Sequence, residues 1–413
     1  DLWETAGDTE QALEHVMRAS SVAEAAGDVP LLCAIQLRLM VMLADSAGPN
    51  AAAAILGSIR RNVTRVGSPS ISAAWHIFLG ETEAKRGMTA NARLHTERGI
   101  RLLNSRPNIW LSSVAENTLF AVSVLTDDYE AGLMHGTEAL RLARESGAAA
   151  MKRAALSNLG MLAYLAGRGD EALDRLDEAA VVMPSTSERA NARLDTMAKV
   201  LLSNENIRLA AECLATVEHN VRRPEDWLLY GNRYSLLTRA ELLLQTGSLD
   251  RALESVQMAL TLAERAEDDL LLGSALLARA EILVRIGRSD EACDAIERAA
   301  QRHTCHPPLL LAQYERTMGC ALAVDGQLDR AQAHVARARR IYNGVRNAPG
   351  LVDLAKAWRN VGGGTIESPD VVSAIATVRS PAELLQDIAS LVMHAGRPEL
   401  DRKSTRLNSS HIP

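Results

Sequence analysis

LLTRAELLLQTGSLDRALESVQMALTLA at residues 236–263 and LLARAEILVRIGRSDEACDAIERAA at 276–300 share one plan. Each is an apolar run at helical spacing, a short turn, and a second apolar run at helical spacing, which reads as a helical hairpin. In the first copy Leu236, Leu243, Leu253, Val256 and Leu260 carry the larger apolar bulk. Outward from these two copies, a turn residue, usually glycine, recurs at 7, 48, 87, 127, 167, 205, 247, 287 and 326, at intervals of 38 to 42 residues. So steady a period marks a stacked array, in which each copy buries its apolar face on its neighbours. The sequence predicts an all-α fold of about nine hairpins.

Small residues recur in register with the turns. Five positions after them stand Ala12, Ala53, Ala92, Ala172, Ala210, Ala252, Ala292 and Ala331, with Gly132 as the one exception. Twelve after come Ala19, Gly99, Ala139, Ala179, Ala259, Ala299 and Ala338, and seven before come Gly80, Gly160, Ala198, Ala240, Ala280 and Gly319. Side chains this small let two helix backbones approach closely where ridges enter grooves.

These offsets resemble the tetratricopeptide repeat. Asn158-Leu159-Gly160, Gly167, Ala172, Ala179 and Pro184 fall at that family's spacings, and the likeness covers residues 1 to 345. The family's aromatic positions are mostly Leu, Val or Ala here, in a chain only 3% aromatic, and the units run to about 40 residues where the common repeat has 34. The resemblance implies a right-handed superhelical solenoid of antiparallel hairpins. The long units look like the arrays of large bacterial regulators, the MalT-type and sigma-54-dependent activators. The expected organisation is a repeat array over 1–345, truncated at its start, then a helical connector over 346–400 broken by Gly362-Gly363-Gly364. In the connector, Ser368-Pro369 and Ser380-Pro381 predict two capped helices, about 369–378 and 381–395. Residues 401–413 resemble a translated sequencing-library adapter and are set aside.

Composition narrows the partners. A net charge of −6, with both signs dispersed, lacks the basic footprint of a nucleic-acid binder, so an RNA-binding helical repeat is the weaker alternative. Five cysteines without CxxC spacing suit a reducing, cytoplasmic setting, and no unbroken apolar run suggests a membrane span. The expected partner is a protein or peptide, or another domain of the same longer chain.

Candidate chemistry is sparse. Gly167-Arg168-Gly169-Asp170-Glu171-Ala172 fits a dinucleotide pattern, but that pattern needs a preceding strand and here follows a helix. His303-Thr304-Cys305-His306 offers three ligands on nearly adjacent residues, which cannot all converge on one metal without help from the backbone. No cofactor, metal or catalytic residue is expected. Ten, nine or six residues before the turns, Arg38, Glu81, Asn117, Asn158, Asp195, Lys199, Glu241, Glu281 and Arg316 would line the concave face, as a solvated surface or as a peptide-binding groove. An enzyme using Glu241 and Glu281 as acid and base is the other alternative, although equivalent repeat positions lack the distinct environments that drive a pair of pKa values apart. The leading expectation is a non-catalytic interaction or sensing scaffold.

Overall fold

A computed structural model describes residues 9–182, 188–302 and 308–363, all within one compact unit. Eighteen α-helices and no strand occur among the described residues. Helix α1 (Thr9–Ala25) comes first among the described residues, and the turn expected at Gly7 lies outside them. Eight complete hairpins come after it: α2 (Val29–Ser46) with α3 (Pro49–Val66), α4 (Pro69–Lys85) with α5 (Thr89–Leu103), α6 (Ile109–Leu125) with α7 (Tyr129–Glu145), and α8 (Ala149–Leu165) with α9 (Gly169–Val182). They continue as α10 (Glu188–Ser203) with α11 (Ile207–Asn220), α12 (Tyr230–Gln245) with α13 (Leu249–Arg265), α14 (Asp269–Ile286) with α15 (Ser289–Arg302), and α16 (Pro308–Val324) with α17 (Leu328–Gly344). A last helix, α18 (Ala348–Asn360), packs on α16 and α17 as a further first helix would. The fold is thus an all-α, tetratricopeptide-like solenoid. The loop at His303–His306 and the two helices expected after 368 lie outside the described residues.

The turns are built alike because the backbone requires it. Gly167 adopts φ +76°, its N–H donates to Tyr164 O and Arg168 N–H donates to Ala163 O, so two carbonyls that the helix leaves open are satisfied by a left-handed cap. Gly87, Gly247, Gly287 and Gly326 repeat this geometry, while Asp127 and Glu205 adopt it without being glycine. The next helix then starts on a side-chain cap in several units, as where Asp128 accepts from Ala131 N–H and Asn206 from Leu209 N–H.

The small positions meet one another. A Cβ on Gly160 would stand 3.2 Å from Ala172 O, and one on Gly319 would stand 3.1 Å from Ala331 O. Ala92, Ala172, Ala252, Ala292 and Ala331 are wholly buried at these crossings. First helices pack on their own partner helix and on neighbouring hairpins, and α2, long and apolar enough to cross a membrane by length and composition, has 33% of its residues buried in this way. Its buried face is Leu32, Cys33, Leu37, Met40, Met42 and Ala44.

The solenoid winds tightly enough for one coil to touch the next. Asp127 Oδ2 accepts from Leu309 N–H at 3.0 Å, 182 residues away, and Tyr129 Oη accepts from Asn347 Nδ2 at 3.1 Å, 218 residues away. Asn50 Nδ2 donates to Glu267 Oε2 at 3.0 Å, and Lys356 pairs with Glu205 at 2.9 Å. Arg233, wholly buried, holds Asp268 through Nε at 3.1 Å and Nη2 at 3.0 Å, and donates to the Asp45 carbonyl of the earlier coil. Turns of one hairpin therefore dock near the starts of first helices about five hairpins further on.

Candidate functional site

First helices face inward, so their inner side chains line the lumen. A cavity of about 810 Å³ opens there, walled by α8, α10, α12, α14, α16 and α18. That size lies within the range of small-ligand sites, roughly 300–1,000 Å³. Its walls alternate apolar surface (Met161, Leu237, Leu277, Ala278) with polar groups.

Four of the residues expected from sequence line this cavity: Lys199, Glu241, Glu281 and Arg316. Arg316 Nη2 pairs with Glu281 at 2.8 Å, and its Nη1 stands 3.9 Å from Asp353. Lys199 is committed to Asp195 at 2.7 Å, and Asp195 is further held by the Thr238 hydroxyl, which makes it a buried support for the wall. Glu241 accepts from Gln245 Nε2 at 3.2 Å. Withdrawal from bulk water, followed by the nearby Asp353 and Glu281 charges, raises the Glu241 pKa, while Arg316 and Lys199 oppose the rise. Asp353 is raised too, again chiefly by desolvation, with Arg316 opposing. One guanidinium thus serves several carboxylates.

The remaining expected residues stand elsewhere. Asn158 Nδ2 donates to Asn117 Oδ1 at 2.7 Å, linking successive first helices outside the cavity wall. Glu81 pairs with Lys85 at 3.3 Å, near the seam with the later coil, and half-buried Arg38 lies on α2 away from the cavity. Sequence reading missed Tyr164, Tyr234, Asn347, Asp353 and Lys356, all in the wall. The first two sit in the inward register of α8 and α12, and the last three belong to α18 and its cap.

The other motifs resolve simply. Gly167 and Gly169 join two helices, with no strand before them. Cys33, Cys213, Cys293 and Cys320 are free thiols whose pKa is raised by burial, which disfavours the nucleophilic thiolate. No metal-holding cluster occurs among the described residues.

A lumen enclosed by stacked hairpins defines a class, the tetratricopeptide-like solenoids. No family description matches the sequence, and no curated protein does. Among solved structures, a Rap protein complexed with competence and sporulation factor superposes on 86% of this chain and 99% of its own, with TM-score 0.59 and 14% identity. The Rap conjugation gene regulator of plasmid pLS20, in complex with the Phr* peptide, does so over 80% of this chain and 97% of its own, with TM-score 0.53 and 12% identity. At such identities the shared property is the fold.

Proposed function

We propose that this chain is a non-catalytic receptor that holds a peptide or protein segment in its lumen, as the sensing arm of a larger bacterial regulator working in the cytoplasm. The observation that carries this reading is the 810 Å³ cavity on the concave face, walled by apolar surface and by hydrogen-bonding groups from six successive first-helix positions. An extended chain needs both: pockets for alternate side chains and polar partners for its backbone. The two solved solenoids of similar fold are complexed with competence and sporulation factor and with the Phr* peptide respectively, which supports a peptide or protein ligand here. The mechanism is conformational. A ligand touching α12, α14, α16 and α18 together favours one curvature of the array over others, and a domain joined to the array reads that curvature.

The enzymatic alternative has one observation in its favour, the raised pKa of Glu241 in a cavity. Burial first, and then the neighbouring Asp353 and Glu281 carboxylates, account for it, and the hydrogen-bond partner of Glu241 is an amide, Gln245.

A displayed library of short linear peptides panned on the full chain tests the proposal. Selected peptides should bind wild type and lose about tenfold or more in affinity to Ala278→Arg, which fills the lumen, a change of about 1.4 kcal/mol. The exposed Val181→Glu should leave binding unchanged. Peptides indifferent to Ala278→Arg, or none recovered, would refute it.

A further inference from the structure

Second helices form the outer face of the array, and one stretch of that face departs from the rest. Seven residues after the turn position, five units expose a carboxylate: Glu14, Asp174, Glu212, Glu254 and Asp294. Ile55, half-buried, and Ala333 fill two more. The remaining two units, which are consecutive, place a large apolar side chain there in the open. Leu94 of α5 is 57% exposed and Met134 of α7 is 61% exposed, with Leu133 beside it at 47%. Packing of the repeat does not require these residues, since carboxylates at the same register show that water is the ordinary neighbour of that position.

The same stretch is basic. Helices α3 and α5 hold six arginines against one carboxylate, Glu97, in a chain whose net charge is −6. Elsewhere on the outer face arginine is neutralised close by. Arg141 pairs with Glu138 at 2.6 Å and Glu145 at 2.8 Å, and Arg168 pairs with Glu171 at 2.7 Å. Arg60, Arg61, Arg65 and Arg98, by contrast, are exposed and pair with no described carboxylate, and Arg101 stands 3.9 Å from Glu97. Arg144 of α7 reaches Glu178 of α9 at 3.1 Å, so side chains of successive second helices meet on this face. The apolar trio and the arginines of α3 and α5 therefore make one surface.

We infer that the outer face of α3, α5 and α7 docks an acidic amphipathic helix of a partner protein, its apolar stripe on Leu94, Leu133 and Met134 and its carboxylates on Arg61, Arg98 and Arg101. Exposed apolar surface rimmed by charge marks a protein contact, and methionine and arginine are residue types enriched in such contacts. Unpaired arginine selects an occupant of opposite charge. Successive second helices run parallel, and the furrow between two helices receives a third by ridge-into-groove packing. A phosphate backbone fits less well: it gains nothing from the apolar trio, and α7, with three glutamates against two arginines, adds no positive charge for it. The lumen is lined by first helices, so this surface is separate from it.

A displayed library of single helices, randomised in charge and in apolar stripe and panned on the full chain at low salt, tests the inference. Recovered helices should be rich in Asp and Glu around an apolar stripe. They should lose about tenfold or more in affinity to Leu94→Glu with Met134→Glu, and again to Arg61→Glu with Arg98→Glu. Added salt should weaken them too, because the paired charges are exposed. The first double variant restores the carboxylate that other units carry, and all four side chains are exposed, so both proteins should keep wild-type helix content. Val181→Glu, elsewhere on the outer face, and Ala278→Arg, in the lumen, should leave binding unchanged, which keeps this result apart from peptide binding in the lumen. Helices that bind either double variant as well as wild type, helices no more acidic than the unselected library, or none recovered, overturn the inference. Single-stranded DNA bound more tightly than any selected helix and released by the same variants would assign the face to nucleic acid instead. Self-association of wild type that Leu94→Glu with Met134→Glu abolishes would assign it to a second copy of this chain.

Discussion

Arg233 heads the fully buried side chains by size, and its guanidinium is spent on Asp268, Leu228 O and Asp45 O. Removing one member of such a pair strands the other charge, so Arg233→Ala should lower stability by about 3–5 kcal/mol, read from the urea midpoint. Replacing both charges with apolar groups, Arg233→Met with Asp268→Leu, should cost less than the single change, although Asp268 also caps Leu271 N–H and that loss of about 1 kcal/mol remains. A second residue pair sets the acid limb. His76 and His95 stack with Nδ1 atoms 3.0 Å apart, one donating and the other accepting. Burial first, then Arg98, His95 and Arg60, pushes His76 down from 6.5 to about 4, and His95 is lowered as well, chiefly by desolvation. The folded state therefore favours the neutral rings. Their contribution is complete above about 6.5 and is lost as pH falls toward 4, at up to about 1.4 kcal/mol per pH unit for each proton taken up. The first complete hairpin carries buried Leu37 and Leu56 at the same two registers, so His76→Leu with His95→Leu should flatten this limb in pH-dependent unfolding.

At the scale of the element, the turn glycines separate local conformation from docking. Gly247→Ala meets only the left-handed backbone penalty, about 1–2 kcal/mol, because φ is +76° and nothing lies within 4 Å. Gly48→Ala should cost more, since its methyl would overlap the Ala266 carbonyl of the later coil. Equal losses in thermal unfolding would show that the coils do not press together there. The turns and the small-residue crossings were legible in the sequence because both recur every hairpin: Gly160 faces Ala172, and Gly319 faces Ala331, at the expected offsets. Lys199, Glu241, Glu281 and Arg316 were legible for the same reason, as inward positions of a repeated helix. Helix α18 was not. Pro349 and Gly350 in its first turn look like a break in the period, yet proline suits a helix start, and Asn347 caps it through Gly350 N–H at 2.6 Å. With α18 hidden, Asp353 and Lys356 could not be assigned to the lumen.

For the whole molecule, the contacts that fasten one coil to the next join residues about 180 to 220 positions apart, such as Asp127 with Leu309 and Tyr129 with Asn347. No local pattern encodes a pairing at that range. Superhelical pitch is the sum of many small hairpin rotations, and each is set by packing rather than by a motif. A measurable consequence concerns α18, which walls the cavity and is also fastened by Glu205 to Lys356. Lys356→Ala combined with Tyr129→Phe should speed amide exchange in α18 while helix content holds, and a bound peptide should slow it again. Unchanged exchange would mean that the contacts between coils do not restrain that helix.

Arrays of this kind ordinarily lengthen or shorten by copying or dropping a module, since each module answers only to its neighbours. Here the coils are also meshed like the teeth of two gears, with Gly87 set against Leu270 and Gly167 against Ala348. One extra module spliced in between would advance every tooth by one place. Asp127 would then face a residue other than Leu309, and Arg233 would lose its hold on Asp45. A change of module number between meshed coils would thus break the contacts of that seam together, not one at a time.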